Sequence, residues 1–310
     1  MLIAIAAIRL HDLFAVVMLF GVYSLLTAAL FMNLDAVDVA FTEAAVGAGV
    51  SSVLMLSGLH LTKRWEKSPR RNPVLPLIVV GVTGAVLVYA MLDAPQVGDP
   101  SAPVHQHVSP YYIEKAPVEV GMPNMVTAVL ASYRGYDTFG ETVVIYAAGL
   151  AVMLLLGIQK GAQTRPGRNA IGDQIVLMSV VKALIPPILL YGLYVQFHGD
   201  FGAGGGFQAG VIFAAGFVLY DLAFGEGNAR AVVPPGWLHR LAALGVLIYG
   251  GVGVFSLLAG KAFLDYSALS ADPVAGQHLG VLLVELGVGI TVFAVVLSIF
   301  YAFSGRRRQT

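Results

Sequence analysis

Helix-length apolar runs cover most of this 310-residue sequence, and ionisable residues lie inside or beside several of them. Hydrophobic residues make up 57% of the chain and charged residues only 12%, whereas a soluble domain carries about 25% charged residues. A charge at bilayer depth costs about 2.5–3.5 kcal/mol, so a chain that keeps several usually moves charge or joins helices through them. We therefore expect an all-α, polytopic integral membrane protein.

The apolar runs define the predicted transmembrane spans, since a helix needs about 20 apolar residues to cross the bilayer core. About eight runs meet this requirement: 13–32, 37–61, 74–92, 138–158, 174–197, 206–225, 238–260 and 279–303. A short half-helix is predicted over residues 1–8, as part of a retained segment rather than a cleaved signal. The Pro-rich connection 93–137 is predicted to be external and to contain a short helix, from Asn124 to Tyr133, near the membrane surface.

Lysine and arginine are concentrated on one side of this topology, which predicts that this side is the cytoplasm. An even number of spans then places both termini there. The basic segment 159–173 is also the predicted seam between two modules of four helices, residues 1–160 and 161–310. The basic residues on this side are Arg9, Lys63, Arg64, Lys67, Arg70, Arg71, Lys160, Arg165, Arg168, Arg230, Arg240, Arg306, Arg307 and Arg308.

Net charge and cysteine content narrow the possible functions. Eighteen basic residues balance eighteen acidic ones, so no nucleic-acid partner is predicted. The chain has no cysteine, which excludes disulfides and Cys-ligated zinc or iron–sulfur clusters within it. His198 and Asp200 together form only a weak metal signal, so we predict neither a metal site nor a cofactor.

Three carboxylates occur at the start of the second span. Asp35 and Asp38 lie at its external end, where each can act as a helix cap or as part of an ion route. Glu43 lies about one turn inside the helix, among small residues that allow a partner helix to pack closely. It can form a hydrogen bond to a neighbouring subunit, or it can relay protons or cations.

The fourth span has a similar arrangement. Arg134 and Asp137 are three residues apart and can pair at the surface, or Asp137 can cap the helix. Glu141 enters the apolar run one turn later and is a candidate for either a structural or a relay role.

The last four spans add three further candidates. Lys182 can extend its long side chain to the cytoplasmic end of its span, or it can pair with a buried carboxylate. Glu285 lies about one turn inside the last span. His198 can exchange protons near neutral pH, as can His11 and His60, although a solvated histidine is the common case.

The Gly-rich string His198-Gly-Asp-Phe-Gly-Ala-Gly-Gly-Gly-Phe-Gln-Ala-Gly210 joins two spans. It is not a phosphate-binding loop, because no strand precedes it and no Gly-Lys-Ser/Thr follows. Glycine allows unusual backbone angles and close helix contacts, so the string predicts a tight hairpin that reaches into the membrane.

Three strings in the sequence resemble motifs of one family of membrane complexes. The Gly-rich string resembles the signature of the MrpB-type subunit of Mrp-type multisubunit sodium/proton antiporters, with Ala203 in place of a proline. This resemblance covers roughly residues 170–305. Asp38-Val-Ala-Phe-Thr-Glu-Ala-Ala-Val-Gly-Ala-Gly49 and Arg134-Gly-Tyr-Asp-Thr-Phe-Gly-Glu141 resemble strings in the C-terminal extension of the large MrpA-type subunit. The same extension is similar to small membrane subunits of membrane-bound hydrogenases.

The resemblance implies an MrpB-type subunit fused to the tail of an MrpA-type one, in a bacterial or archaeal cell membrane. It implies a non-enzymatic subunit of a monovalent cation/proton antiporter that works with other antiporter subunits, the lipid bilayer, Na+ and H+. It also implies ion-transfer roles for Glu43 and Glu141, which we group with Asp38, Lys182, Glu285 and His198 as candidate relay residues. Two alternatives remain: a subunit of a redox-driven, hydrogenase-type complex, or a structural scaffold.

Overall fold

The computed structural model describes residues 1–67, 74–96, 98–156 and 174–305, and in these ranges the ordered elements are helices. In chain order they are α1 (Leu2–Arg9), α2 (Leu13–Asn33), α3 (Val37–Leu61), α4 (Val74–Leu92), α5 (Pro103–Gln106), α6 (Val108–Glu119), α7 (residues 125–133), α8 (Gly135–Leu156), α9 (Ile175–His198), α10 (Gly206–Phe224), α11 (Glu226–Val232), α12 (Pro235–Leu258) and α13 (Pro273–Ser304). A short 3-10 helix, Tyr266–Leu269, precedes α13.

Eight of the described helices are long and apolar enough to cross a membrane, namely α2, α3, α4, α8, α9, α10, α12 and α13. The predicted all-α, eight-span membrane fold is confirmed. The largest boundary difference is at α13, which begins at Pro273 rather than at residue 279. The Asp272 side chain accepts a hydrogen bond from the Val274 backbone N–H, so the helix starts at its cap, one and a half turns before the apolar run.

The packed core lies where α10, α12 and α13 meet. More than half of the apolar window of α13 is buried, whereas α4 contributes no buried residue. Small residues make the close contacts: a methyl group added at Gly210 would lie 2.6 Å from the backbone oxygen of Gly289. Close backbone approach of this kind is how membrane helices gain packing without a hydrophobic driving force.

A hydrogen-bonded ion pair joins the start of α2 to the end of α3. Asp12 caps α2 through the Phe14 backbone N–H, and Arg64 Nη2 lies 2.6 Å from Asp12 Oδ2. The Arg64 guanidinium holds the pKa of the Asp12 carboxyl below its ordinary value. The pair therefore stays ionised and fixes the two helix ends together at this end of the bundle.

The short helix predicted from Asn124 to Tyr133 is present as α7, with the Asn124 side chain as its cap. Its packing differs from a helix that rests on the membrane, because Ala128 and Ala131 are buried in the core. Residues Ala128–Tyr133 are π-helical, and so are Ala44–Val50 within α3. Sequence patterns indicated neither π segment.

Some predictions fall on residues outside the described ranges. These are the module seam at 159–173 and many of the basic residues used to orient the chain, which include Arg70, Arg71, Lys160, Arg165, Arg168, Arg306, Arg307 and Arg308.

Candidate functional site: a cavity lined by carboxylates

Three of the predicted relay carboxylates line a single cavity of about 340 Å³. Asp38 comes from α3, Glu141 from α8 and Glu285 from α13, so residues distant in sequence meet between the helices. Hydroxyl and amide groups also line the cavity: Thr42, Thr127, Thr138, Thr142 and Gln208. The rest of the wall is largely apolar, and the oxygen atoms of these side chains are the groups in it that suit water, protons and hard cations.

The Gly-rich string forms the part of the wall against which Glu285 lies. A methyl group added at Gly199 or Gly205 would lie 3.0 Å from a Glu285 carboxylate oxygen. Gly205 also has φ +107°, a backbone conformation that L side chains rarely adopt. The glycines therefore allow the turn between α9 and α10 to close directly over the carboxylate.

Asn124 holds this turn against α3. Its Nδ2 lies 2.8 Å from the Gly202 backbone oxygen, 3.1 Å from that of Gly199 and 3.3 Å from Asp38 Oδ1. Thr127 Oγ1 donates a second hydrogen bond to Gly199 O, at 2.7 Å. Sequence reasoning identified Asn124 only as a helix cap, because its contacts with the turn and with Asp38 are 75 to 86 residues away.

Gln208 forms a further link between the two halves of the chain. Its buried amide donates to Thr42 Oγ1 at 2.7 Å, and Thr42 Oγ1 donates to the Asp38 backbone oxygen at 2.9 Å. Neither residue was predicted as a site residue. Thr42 lies in the motif string 38–49 and Gln208 in the string 198–210, and this position is the sequence signal that could have identified them.

Asp38 and Asp35 do not cap α3, so the capping alternative is wrong for both. The N-cap position is Ala36, which makes no side-chain cap bond, and Asp35 has φ 57°. Asp38 lies in the first turn and contacts Asn124 instead.

At α8 the predicted surface pair is confirmed, with Arg134 Nη2 2.5 Å from Asp137 Oδ2. Glu141, one turn further on, is exposed at the edge of the cavity.

The other three predicted relay residues lie outside the cavity. Glu43 is half-buried beside Gly47, where an added methyl group would lie 2.6 Å from Glu43 Oε1 and 2.5 Å from Ser24 Oγ. Lys182 is exposed, with its Nζ 5.9 Å from the centre of the Phe224 ring. His198 stacks on Tyr194 at 4.8 Å between ring centres.

Asp200, the second member of the weak metal signal, lies near another histidine. Its Oδ2 is 3.4 Å from His278 Nδ1. Among the residues that the structure describes, no group of three or more His, Asp or Glu side chains could hold a metal ion.

Comparison with known families divides the chain into three matched stretches. A model described as a domain related to the MnhB subunit of Na+/H+ antiporters matches residues 176–298. Models described as the D and E subunits of MBH match residues 1–64 and 69–174.

Curated relatives decide the family. Over 44% of its length the chain is 32% identical to the putative antiporter subunit mnhB2 of Staphylococcus aureus (strain Newman), of which it covers 97%. The chain belongs to the MnhB family of antiporter subunits. This MnhB-family chain is also 27% identical, over 96% of its length, to the probable A/B subunit of a K(+)/H(+) antiporter in Rhizobium meliloti (strain 1021). It covers 32% of that protein, about a third of its length.

Solved structures agree with this assignment. The MnhB-family chain is similar to a chain of the Mrp complex from Dietzia sp. DQ12-45-1b, with a TM-score of 0.75 and 26% identity. The match covers 97% of this chain and 33% of that one. A second match is to a chain of the membrane-bound sulfane sulfur reductase, an archaeal respiratory membrane complex, with a TM-score of 0.55 and 27% identity. This match covers 73% of the MnhB-family chain and 97% of the reductase chain. The predicted resemblance to an MrpB-type subunit joined to an MrpA-like region is confirmed.

Proposed function

We propose that this chain is a membrane subunit of a multisubunit monovalent cation/proton antiporter, and that its carboxylate cavity is part of the ion route. The observation that carries the proposal is the meeting of Asp38, Glu141 and Glu285 around one cavity. Each carboxylate lies on a membrane-spanning helix, where an ionisable group is costly to keep. Carboxylates spaced around a wetted cavity can pass protons by transient protonation and can exchange them for a cation.

The two predicted modules, residues 1–160 and 161–310, would build this cavity jointly. Asp38 and Glu141 belong to the first module and Glu285 to the second. Gln208 and Thr42 hydrogen-bond across the same boundary. The chain spans only part of its longer relatives, so other antiporter subunits would complete the route. On this proposal the chain is not an enzyme but one component of a transporter.

The end of the bundle that contains the cavity would face the outside of a bacterial or archaeal cell. The described basic residues Lys63, Arg64 and Lys67 follow α3 at the other end, and Arg240 lies in the second turn of α12 at that end, which favours the cytoplasm there. Both termini would then be cytoplasmic.

Glu43, Lys182 and His198 would act outside the cavity. Glu43 lies on α3 near Ser24 of α2, and its side chain is only half-buried, so it can face a neighbouring subunit. Exposed Lys182 lies near the opposite end from the cavity and can meet the lipid interface or a carboxylate of a neighbouring protein. His198 is held by stacking on Tyr194, which favours a positioning role in the turn.

Charge-removing variants of the assembled complex test the proposal. Glu285→Gln and Glu141→Gln keep hydrogen-bonding capacity but cannot ionise. We expect each to lower cation-dependent proton exchange in membrane vesicles by about 10²-fold or more, because a positioned proton-transfer group contributes about 10²–10⁴-fold. Glu114→Gln removes an exposed charge on α6 and is the matched control. Normal assembly with normal exchange in both cavity variants would contradict the relay and favour a scaffold.

A redox-driven complex is the second candidate, because the MBH models match residues 1–64 and 69–174 and the sulfane sulfur reductase shares the fold. This chain has no cysteine, so any iron–sulfur centre would reside in partner subunits. Purification of the intact complex discriminates the two. Co-purifying iron–sulfur subunits would support the redox complex, and a set of antiporter subunits alone would support exchange.

A further inference from the structure

A histidine–aspartate pair lies beside the carboxylate cavity. His278 Nδ1 lies 3.4 Å from Asp200 Oδ2, and the two residues come from α13 and from the turn between α9 and α10. The His278 side chain is 38% exposed and that of Asp200 is 22% exposed. Both side chains are therefore reached by solvent, and the aspartate is the more buried of the two.

Both members of the pair are connected to the cavity, His278 along α13 and Asp200 through the turn between α9 and α10. His278 and Glu285 are seven residues apart on α13, two helical turns, so they share one face. Asp200 follows Gly199, whose added methyl group would lie 3.0 Å from Glu285 Oε2. The Asp200 backbone oxygen accepts a hydrogen bond from the Asn124 N–H, and the Asn124 side chain contacts Asp38.

Carboxylates of this site lie near His278, and α6, which also packs against α13, carries Glu114, Lys115 and Glu119. Asp200 faces His278 from the turn, Glu285 lies along the same helix, and Asp38 lies on α3 behind Asn124. From the segment after α6 it meets Gly121, where an added methyl group would lie 3.4 Å from His278 Nε2. A neutral imidazole accepts a proton at one ring nitrogen and donates one from the other, so His278 has the groups needed to pass a proton to Asp200.

We propose that the His278–Asp200 pair is the proton entrance to the carboxylate cavity, an inference that rests on the proposed antiport function. Neutral His278 takes a proton from water at Nε2 and releases the Nδ1 proton to the Asp200 carboxylate. Asp200 passes that proton through water to Glu285 when the Glu285 carboxylate is deprotonated, and rotation of the His278 ring then restores the starting tautomer. One proton enters, one proton reaches the cavity, and no bond to carbon changes.

Chemical rescue distinguishes proton delivery from a structural role. We expect His278→Ala in the assembled, reconstituted complex to slow proton exchange about tenfold at low buffer concentration, less than the 10²–10⁴-fold typical of a positioned acid–base group, because water provides a parallel path. Imidazole added on the cavity side should restore the rate. Pyrazole has a similar shape but does not accept a proton near neutral pH, so it should not.

Two further variants make the test independent of folding. His278→Gln keeps a donor toward Asp200 but cannot titrate, and it should flatten the dependence of exchange on the pH of the cavity side. His107→Gln alters an exposed histidine in the connection before α6 and should leave the profile unchanged. An unchanged profile in His278→Gln, or equal rescue by imidazole and pyrazole, would overturn the entrance. Normal exchange in both Glu285→Gln and Glu141→Gln would instead overturn the proposed function.

Discussion

Gly205 satisfies two requirements that another residue would violate. Its φ of +107° is unfavourable for any residue with a Cβ, and an added methyl group would lie 3.0 Å from Glu285 Oε1. The turn therefore determines where the carboxylate lies. At the residue scale, the cavity depends on glycines, which have no Cβ and so leave room for the turn, as much as on the carboxylates themselves.

Gly205→Ala tests this dependence. We expect lower exchange activity and a lower midpoint of thermal unfolding of the complex, since the backbone strain alone costs about 1–3 kcal/mol. Gly251→Ala is the matched control on α12, where an added methyl group meets nothing within 4 Å and alanine favours the helix. Equal behaviour of the two variants would contradict the account of the turn.

Sequence reasoning identified the individual carboxylates better than their neighbours. Asp38, Glu141 and Glu285 could be predicted because a charge next to an apolar run is conspicuous. His278 could not, because the predicted last span began after it and its partner Asp200 lies 78 residues away. A one-dimensional pattern carries no information on such contacts, and the same limit applies to Asn124.

At the scale of helices, two buried tyrosines hold α7 and the start of α8 against the core. Tyr249 donates its hydroxyl proton to the Gly135 backbone oxygen at 2.8 Å, and Tyr266 donates to that of Ala131 at 2.8 Å. Burial raises the pKa of the Tyr266 hydroxyl above its ordinary value, so it stays protonated and donating. A methyl group on Gly135 would lie 3.1 Å from the Tyr266 hydroxyl oxygen, which explains the glycine at this position.

Tyr266→Phe should destabilise the chain by about 1 kcal/mol, because it removes one buried hydrogen bond and leaves the carbonyl without that donor. The measurement is the thermal unfolding midpoint of the purified complex. Tyr136→Phe removes a hydroxyl from a ring that is 71% exposed and should have no measurable effect. A tyrosine anchor is excluded if both variants unfold at the same temperature.

The helices themselves were largely predictable, and their irregular segments were not. Length and hydropathy locate eight spans because a bilayer imposes both. The π-helical segments Ala44–Val50 and Ala128–Tyr133 have the same composition as ordinary helix. Such segments often occur at functional sites, and here Asp38 precedes one of them in α3 and Thr127 directly precedes the other in α7.

At the scale of the whole molecule, burial is uneven. The second half of the chain supplies the tightly packed helices α10 and α13, whereas α4 has no buried residue and exposes its apolar side chains along its length. This helix depends on lipid or on neighbouring subunits for its surroundings. The molecule therefore has the form expected of one part of a larger membrane assembly.

The orientation of the bundle can be measured directly, because the chain has no cysteine. Ser101→Cys places a thiol in the connection between α4 and α5, and Lys63→Cys places one after α3. We expect a membrane-impermeant maleimide to label the first variant in intact cells and the second only after the membrane is opened. The reverse pattern would invert the proposed topology and place the cavity on the cytoplasmic side.

The most direct test of the cavity is infrared difference spectroscopy of the assembled complex, recorded as sodium is added at constant pH. If the cavity exchanges protons for cations, a protonated-carboxyl band should lose intensity on sodium addition. That band should be absent in Glu285→Gln and present in Glu114→Gln. A spectrum that neither sodium nor, in a parallel titration, potassium changes, or a band that persists unchanged in Glu285→Gln, would contradict the account.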